Sequence, residues 1–472
     1  MLHIDKIYIN GEFVTPHGSE LFDLFNPATE AVIGQVRLAD EDDTRRAIVA
    51  AKDAFPAWSR TTREERIAVL ERMYLAVRAR EADLLEALIT EYGAPSARAN
   101  WMAAWPAQTI RCAIDALKQF NFEERVGRAT VVMTPVGVAG LITPWNSDAG
   151  FICSKLATAM ASGCTAVIKP SEMSAWQTQI ITEALHAAQI PAGVFNIVTG
   201  RGEVVGETIN HHPDIAKISF TGSTAVGKHI VESGARTLKR VTLELGGKSP
   251  TVILDDADVK TAVHLALEAG FMNSGQACIA GTRILVPASR QAEFEHAFVD
   301  AITAFTAGDP RDSQTVIGPM VSQKQWLRVQ GYIQLGQQEC ARILVGGEGR
   351  VAGKETGWFV KPTIFTDVNN QMRIAREEIF GPVLVLIPYR DETEALAIAN
   401  DTDYGLNAMV LSGSRERGEA LALQIESGRV MVNTLEHEPL APFGGVKQSG
   451  LGREMGKWGM QAYLEPKTLV VG

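Results

Sequence analysis

Val138-Ala139-Gly140-Leu141-Ile142-Thr143-Pro144-Trp145-Asn146 is the stretch that decides the fold class. Five apolar residues run without polar alternation, as in a strand buried on both faces, and Pro144 closes the element. Ala149 to Ser162 then repeats apolar residues at helical spacing. The same rhythm of strand, turn and helix returns in Ala166 to Lys169 with Met173 to Gln189, and in Val194 to Val198 with Gly202 to Ile209. It returns again in Ala216 to Phe220 with Ser223 to Ser233. Two strands, Val241 to Leu245 and Pro250 to Leu254, lead into a helix over Val259 to Met272. Such alternation implies a parallel sheet covered by helices on both faces, with ligands at the carboxyl ends of its strands.

Working outward, residues 1–40 read as short strands: Lys6 to Asn10, an Asn10-Gly11 turn, Glu12 to Thr15, and Val32 to Val36 after Asn26-Pro27. Asp40 to Tyr92 is helical, with Asp42 or Asp43 as a cap and Ile67, Leu70, Tyr74 and Val77 as an apolar stripe. A helix from Ala99 to Lys118 carries Trp101 and Trp105, and residues 120–137 form a strand ribbon turning at Val126-Gly127. A second α/β series takes in Arg283 to Val286, a helix over Arg290 to Thr306, Ile343 to Val345, Val360 to Ile364 and Val383 to Pro388. It continues through Glu392 to Asn400, Ala408 to Leu411, a helix near Arg415 to Ile425, and Val430 to Asn433. The end, Gln461 to Val471, reads as an apolar extended strand that invites pairing with another strand.

A chain of 472 residues has room for two or three domains. A net charge of -10 argues against nucleic acid or an anionic membrane as a partner. No apolar run approaches the roughly 18 to 20 residues that span a bilayer, and the N-terminus lacks a signal-peptide pattern, so a cytoplasmic location is expected. Five scattered cysteines, an odd number, indicate reduced thiols, and the nine histidines include no HExxH, so no metal site is expected.

Asn273-Ser274-Gly275-Gln276-Ala277-Cys278-Ile279 delivers one thiol to a loop at a helix end, though most free cysteines are small buried hydrophobes. Glu244 is an acid embedded in an apolar strand, a costly placement that is usually functional or paired. Phe220-Thr221-Gly222-Ser223 lies at a strand-to-helix junction where Ser223 and free N–H groups can hold a pyrophosphate oxygen; a plain helix cap by Ser223 is the alternative. Gly200 to Gly206 has the spacing GxGxxxG, one residue longer than the dinucleotide fingerprint, and Gly450 to Gly456 repeats it in what reads as a loop. Lys169-Pro170-Ser171-Glu172 ends a strand where both charged side chains reach ribose hydroxyls, or else form a surface ion pair. Glu377-Glu378-Ile379-Phe380-Gly381-Pro382 adds an acid beside an aromatic residue and a turn, and His437-Glu438 reads as a polar loop.

These motifs, with Glu244-Leu245-Gly246-Gly247-Lys248 and Pro442-Phe443-Gly444-Gly445-Val446-Lys447-Gln448-Ser449-Gly450, together resemble the NAD(P)-dependent aldehyde dehydrogenase superfamily in order and spacing across essentially the whole chain. The resemblance implies a Rossmann-type parallel-sheet cofactor domain over residues 1–119 and 138–247 and a second α/β catalytic domain over 248–440. It also implies a small β oligomerisation flap over 120–137 and 458–472, with self-association as a homodimer or homotetramer. The implied reaction is oxidation of an aldehyde to the carboxylic acid with NAD, NADP being admitted as well. Cys278 is the implied nucleophile, Asn146 the oxyanion donor and Glu244 the base, with Lys169 counted among the catalytic groups. The implied cofactor residues are Thr143, Pro144, Trp145, Lys169, Ser171, Glu172, Gly202, Gly206, Phe220, Thr221, Gly222, Ser223, Leu245, Gly246, Glu378 and Phe380.

Glu172 favours NAD over NADP. The aldehyde wall is assigned to Trp101, Trp105, Phe151, Phe271, Ile279, Leu435 and Phe443 with the loop Thr434 to Pro442. Being mostly apolar and without an arginine clamp, it points to an aliphatic or aromatic aldehyde. A carboxylate-bearing semialdehyde and a CoA-acylating reaction are the alternatives, and Glu244 favours hydrolysis over the latter. The family continues with Phe-Pro after the asparagine, whereas this chain has Ser147-Asp148-Ala149-Gly150-Phe151, which sets Asp148 near the expected aldehyde entrance.

Overall fold

The computed structural model describes residues 1–471. Its eight-stranded sheet runs in the spatial order Gly450–Leu451, Arg240–Glu244, Ile215–Thr221, Val138–Ile142, Thr165–Lys169, Phe195–Ile197, Ile7–Ile9, Glu12–Val14. The five strands from Arg240–Glu244 to Phe195–Ile197 are mutually parallel. Val138–Ile142 has every residue buried, which accounts for the unbroken apolar run. A seven-stranded sheet runs Arg342–Val345, Thr363–Thr366, Val383–Tyr389, Arg283–Pro287, Pro250–Ile253, Asn407–Leu411, Arg429–Val432 and is parallel except at its first strand. Two three-stranded sheets complete the fold, one near the N-terminus and one joining Leu464–Val470 to Ala129–Pro135 and Glu123–Val126.

Local chemistry sets the helix starts. Asp40, not Asp42 or Asp43, caps Glu41–Trp58: its carboxylate accepts from the Asp42 and Asp43 N–H groups. Asp43 returns the bond to the Asp40 N–H, so the acid expected as a cap is the far half of a capping box. Ser223 caps Thr224–Gly234 by accepting from the Val226 N–H at 3.4 Å, which stabilises the helix by about 1 kcal/mol. Two helices carry too little apolar periodicity to read from the chain. Gln323–Gln338 buries only Val329, Gln330, Ile333 and Gly336. Gly456–Gln461 precedes the segment expected as strand and takes its first residue, Gln461; the strand begins at Leu464 instead. The supposed Gly450 to Gly456 loop also contains a strand, because Gly450 and Leu451 pair with Glu244 and Leu243.

Ser96–Gln119 packs on Asp148–Ala161, the helix that follows the central strand. A methyl at Gly150 would lie 2.0 Å from the Trp105 ring, so the missing side chain lets the indole lie against the helix backbone. Leu464–Val470 pairs with Ala129–Pro135 residue for residue, and Leu469, Val470 and Val471 stay exposed along its outer edge. Among the described residues, no helix is long and apolar enough to cross a membrane.

Candidate active site

The central strand Val138–Ile142 is followed in the chain by neighbours to one side, Thr165–Lys169 and Phe195–Ile197, and then by neighbours to the other, Ile215–Thr221 and Arg240–Glu244. This reversal opens a crevice at the carboxyl ends of the strands. Four strands deliver Asn146, Lys169, Thr221 to Ser223, and Glu244 to that edge.

Cys278 arrives from the second sheet. Helix Val259–Phe271 is broken by three successive left-handed residues: Asn273 (φ 54°), Ser274 (φ 59°) and Gly275 (φ 73°). A Cβ at Gly275 would lie 2.1 Å from the Gly381 carbonyl oxygen, so the position admits glycine alone. Side chains hold the strained turn. Asn273 Nδ2 donates to the Asn146 and Gln276 carbonyls (both 3.2 Å), Ser274 Oγ accepts from the Gly318 N–H, and Gln276 bridges Pro319 and Val321. Asn146 Nδ2 in turn donates to the Gln276 carbonyl at 3.0 Å, which ties the amide to the cysteine loop.

Burial, with the Glu378 and Glu244 carboxylates, pushes the Cys278 thiol up to about 12; Arg429 acts in the opposite direction. The resting group is therefore a protonated thiol at neutral pH and needs a base. Glu244 is 2% exposed, and neither of its carboxylate oxygens has a hydrogen-bond partner. Burial raises its pKa well above the ordinary carboxylate value, Glu454 raises it further, and Lys155 and Arg453 oppose the shift. Lys155 lies fully buried, donating to Glu454 Oε1 at 2.5 Å and Ser219 Oγ at 2.9 Å. The chain alone gave no sign of this pair, because 299 residues separate its members.

Along the other side of the crevice, Lys169 Nζ lies 3.4 Å from Glu172, and Arg201 approaches the same carboxylate at 3.6 Å. The ion pair given as the alternative reading is present but not at the surface: Lys169 is buried and a second cation is attached. Glu378 accepts from the Gly247 N–H at 3.0 Å, and a Cβ at Gly246 would lie 2.4 Å from its carboxylate. Phe380 adopts φ 62° and meets the Trp145 ring edge-on at 5.4 Å. Ser171 caps a short turn after its strand, and Thr143 N–H bonds the Lys169 carbonyl at 3.1 Å, with Pro144 leading into the Trp145 turn. Phe220 and Leu245 place their side chains in the apolar core beneath. A methyl on Gly202 would meet nothing within 4 Å, and one on Gly206 would meet only Lys169 Cδ at 4.0 Å, so open space lies over that turn. Open space there, the unpartnered Thr221 hydroxyl, the capped helix at Ser223 and an acid set between two cations suit a nucleotide with ribose and phosphate groups.

Three residues assigned to the aldehyde wall stack together: Trp101 on Trp105 with ring centroids 5.7 Å apart, and Phe151 edge-on to Trp105 at 5.4 Å. Ile279 is half-buried beside the thiol and its carbonyl accepts from Asn407, while Leu435 packs partly against the second core. Phe443 lies under the Arg429 guanidinium at 5.4 Å. Phe271 does not belong to the wall: it is 2% exposed and packs on Phe305 in the second core. Asp148 is not at an entrance either. It is fully buried, accepting from Thr143 Oγ1 at 2.5 Å and Thr178 Oγ1 at 2.9 Å, and so ties the first helix of the sheet to its neighbours. The expected absence of arginine is also corrected, since Arg98 and Arg429 both reach this region from segments remote in sequence. Among the described residues, no cluster of three or more His, Cys, Asp or Glu could hold a metal ion.

A model of the aldehyde dehydrogenase family matches residues 13–469. The chain is 44% identical over 467 residues to 3-succinoylsemialdehyde-pyridine dehydrogenase of a Pseudomonas species, covering 98% of each chain. Its structure superposes with a TM-score of 0.97 on a cysteine-to-alanine variant of aldehyde dehydrogenase C from Pseudomonas syringae, complexed with NAD+ and octanal. That match has 43% identity and covers 99% of this chain and 96% of the other. An NADP-dependent enzyme of Escherichia coli superposes with a TM-score of 0.95 at 35% identity, covering 99% and 98%.

Proposed function

The chain belongs to the aldehyde dehydrogenase family, and from that premise we propose that Cys278 is the nucleophile, Glu244 the base and Asn146 the oxyanion donor of its reaction. The enzyme is an NAD(P)-dependent aldehyde dehydrogenase, oxidising an aldehyde with water to the acid and reducing the dinucleotide. The observation that carries the assignment is Glu244, a buried acid with both oxygens unpartnered whose charge acts directly on the Cys278 thiol. Glu244 takes the thiol proton as sulfur attacks the aldehyde carbon, giving a thiohemiacetal. Asn146 Nδ2 and the Cys278 N–H, which donates no backbone hydrogen bond, meet the developing oxyanion. NAD, when held in the cleft, would supply the acceptor for the hydride whose loss leaves a thioester on Cys278. Once that first proton has passed to solvent, Glu244 draws a proton from the water that attacks the thioester and returns it to the departing sulfur, releasing acid and thiol.

In the nucleotide cleft we assign Lys169 and Glu172 to the adenosine ribose, Ser223 and the Gly202 to Gly206 turn to the phosphates, and Glu378 with Phe380 to the nicotinamide end. The aromatic group Trp101, Trp105 and Phe151 suits an aldehyde with an aliphatic or aromatic body. The exposed apolar edge of Leu464–Val470 supports self-association as a homodimer or homotetramer, and five unpaired thiols support a cytoplasmic location. Incubation with NAD and an aldehyde panel, following reduced nicotinamide and free acid without CoA, tests the reading. Absence of signal from every aldehyde sinks it.

Two outcomes follow from individual side chains. Asn146→Ala lowers kcat on the order of 100- to 1000-fold, because one of two oxyanion donors is lost; a loss confined to KM would remove the amide from that role. Glu172→Gln raises kcat/KM for NADP by about tenfold or more, since the carboxylate that repels a 2′-phosphate is removed while the Lys169 and Arg201 cations remain beside it. An unchanged NAD-to-NADP ratio in that variant contradicts the ribose assignment.

A further inference from the structure

Two arginines that lie against the aromatic residues of the aldehyde wall, Arg98 on Trp101 and Arg429 on Phe443, have no carboxylate partner. Arg98 lies on helix Ser96–Gln119 and Arg429 on strand Arg429–Val432. Among the described residues, neither takes part in an ion pair within 4 Å, although thirty such pairs join other groups. Arg98 covers the Trp101 ring at 4.2 Å, and its Nε is shut from solvent with no acceptor. Arg429 gives its Nε–H to Asn407 Oδ1 at 2.8 Å, while one terminal nitrogen is equally shut in and unpartnered. Burial lowers the pKa of both, that of Arg429 to about 10. The only groups acting against it are the Tyr92 phenol at Arg98 and the Cys278 thiol at Arg429.

His437 is bonded to one of them and lies in the field of the other. Its Nδ1 is bonded to an Arg429 terminal nitrogen. A guanidinium can only donate, so Nδ1 accepts and the ring proton sits on Nε2. Desolvation, with the fields of Arg429 and Arg98, pushes the ring down to about 4, so it is neutral and offers that Nε2–H as one more donor. The region therefore presents two guanidinium groups, each with one buried N–H donor left without an acceptor, and a neutral imidazole donor beside them. A buried charge left unpaired is costly, and the usual compensation is an arriving anion.

We propose that Arg98, Arg429 and His437 form a carboxylate-binding site by the aldehyde wall, making the substrate class a semialdehyde with an anionic terminus. This rests on the assignment of Cys278 as nucleophile, since the thiol fixes where the aldehyde end lies. Trp101 and Trp105 hold the body of such a substrate between its two functional ends.

The test uses the purified full chain with saturating NAD and two matched pairs of aldehydes: succinic semialdehyde against pentanal, and para-carboxybenzaldehyde against para-methylbenzaldehyde. In the unmodified enzyme, kcat/KM favours the carboxylate member of at least one pair on the order of 100-fold, through KM. Raising the salt concentration increases KM for that member several-fold and leaves KM for its neutral partner unchanged. In the double variant Arg98→Met, Arg429→Met the ratio falls to within about threefold of unity, while lysine at both positions keeps part of it. A role for Arg429 confined to stabilising the thiolate lowers both members of a pair equally and leaves the ratio intact. That result overturns the proposal, as does equal turnover within both pairs by the unmodified enzyme. If neither member of any pair yields reduced nicotinamide, the aldehyde reaction itself falls and the carboxylate site with it.

Discussion

Cys278→Ala removes aldehyde oxidation, with a loss on the order of 10^4-fold or more, while dinucleotide binding and thermal stability persist. The size of the loss follows from covalent chemistry: without the sulfur there is no thiohemiacetal from which a hydride can leave, and no other thiol can take over. Cys112 is half-buried on helix Ser96–Gln119 with its thiol raised by burial, Cys153 and Cys164 are fully buried and their thiols are driven up, that of Cys164 to about 11, while Cys340 lies exposed on the second sheet's side. Persistence of the fold follows from how the loop is held. Asn273, Ser274 and Gln276 carry its hydrogen bonds and Gly275 its tightest contact, so the sulfur bears no structural load. The check is reduced nicotinamide from an aldehyde panel, with a thermal melt and an NAD titration on the same preparation. Residual turnover above about a hundredth of the original would move the nucleophile elsewhere.

Glu244→Gln is expected to cost about 10^2- to 10^4-fold in kcat, with the shape of the amide matching the acid it replaces. If deacylation alone depends on Glu244, the variant releases one equivalent of reduced nicotinamide per site rapidly and then stalls as the thioester. If Glu244 also takes the thiol proton, that first equivalent slows as well. The pH dependence has a definite sign. Burial raises the Glu244 pKa, so protonation of the base begins at a higher pH than for an ordinary carboxylate, and activity falls as pH drops through that raised value. The variant lacks this limb. Its acylation rate follows the thiol itself, which burial still raises, and keeps climbing with alkalinity. A variant with unchanged turnover and an unchanged acid limb would exclude Glu244 from both steps.

Lys155 and Glu454 bear on the same experiment, because both act on Glu244 from within the protein and in opposite senses. Neither was singled out from the chain. A lysine in an apolar helix and a glutamate after a glycine-rich stretch are unremarkable apart, and only the pairing of strand Gly450–Leu451 with Arg240–Glu244 brings them together.

What the chain determined by itself was whatever depends on neighbours a few residues away. The parallel sheet was legible because strands buried on both faces, such as Val138–Ile142, leave unbroken apolar runs, and the helices between them keep a 3.6-residue period. The Ser223 cap was legible because it involves residues only three apart. Gln323–Gln338 escaped because just four of its residues are buried, too few to print a period. Tertiary structure alone decided the rest. Asp148 was misplaced at an entrance since its partners Thr143 and Thr178 come from the strand before and a helix beyond. The Arg98–His437–Arg429 group lay outside any motif, for a charge counts as unpaired only once every surrounding segment is in place, and no spacing along the backbone records an absent neighbour.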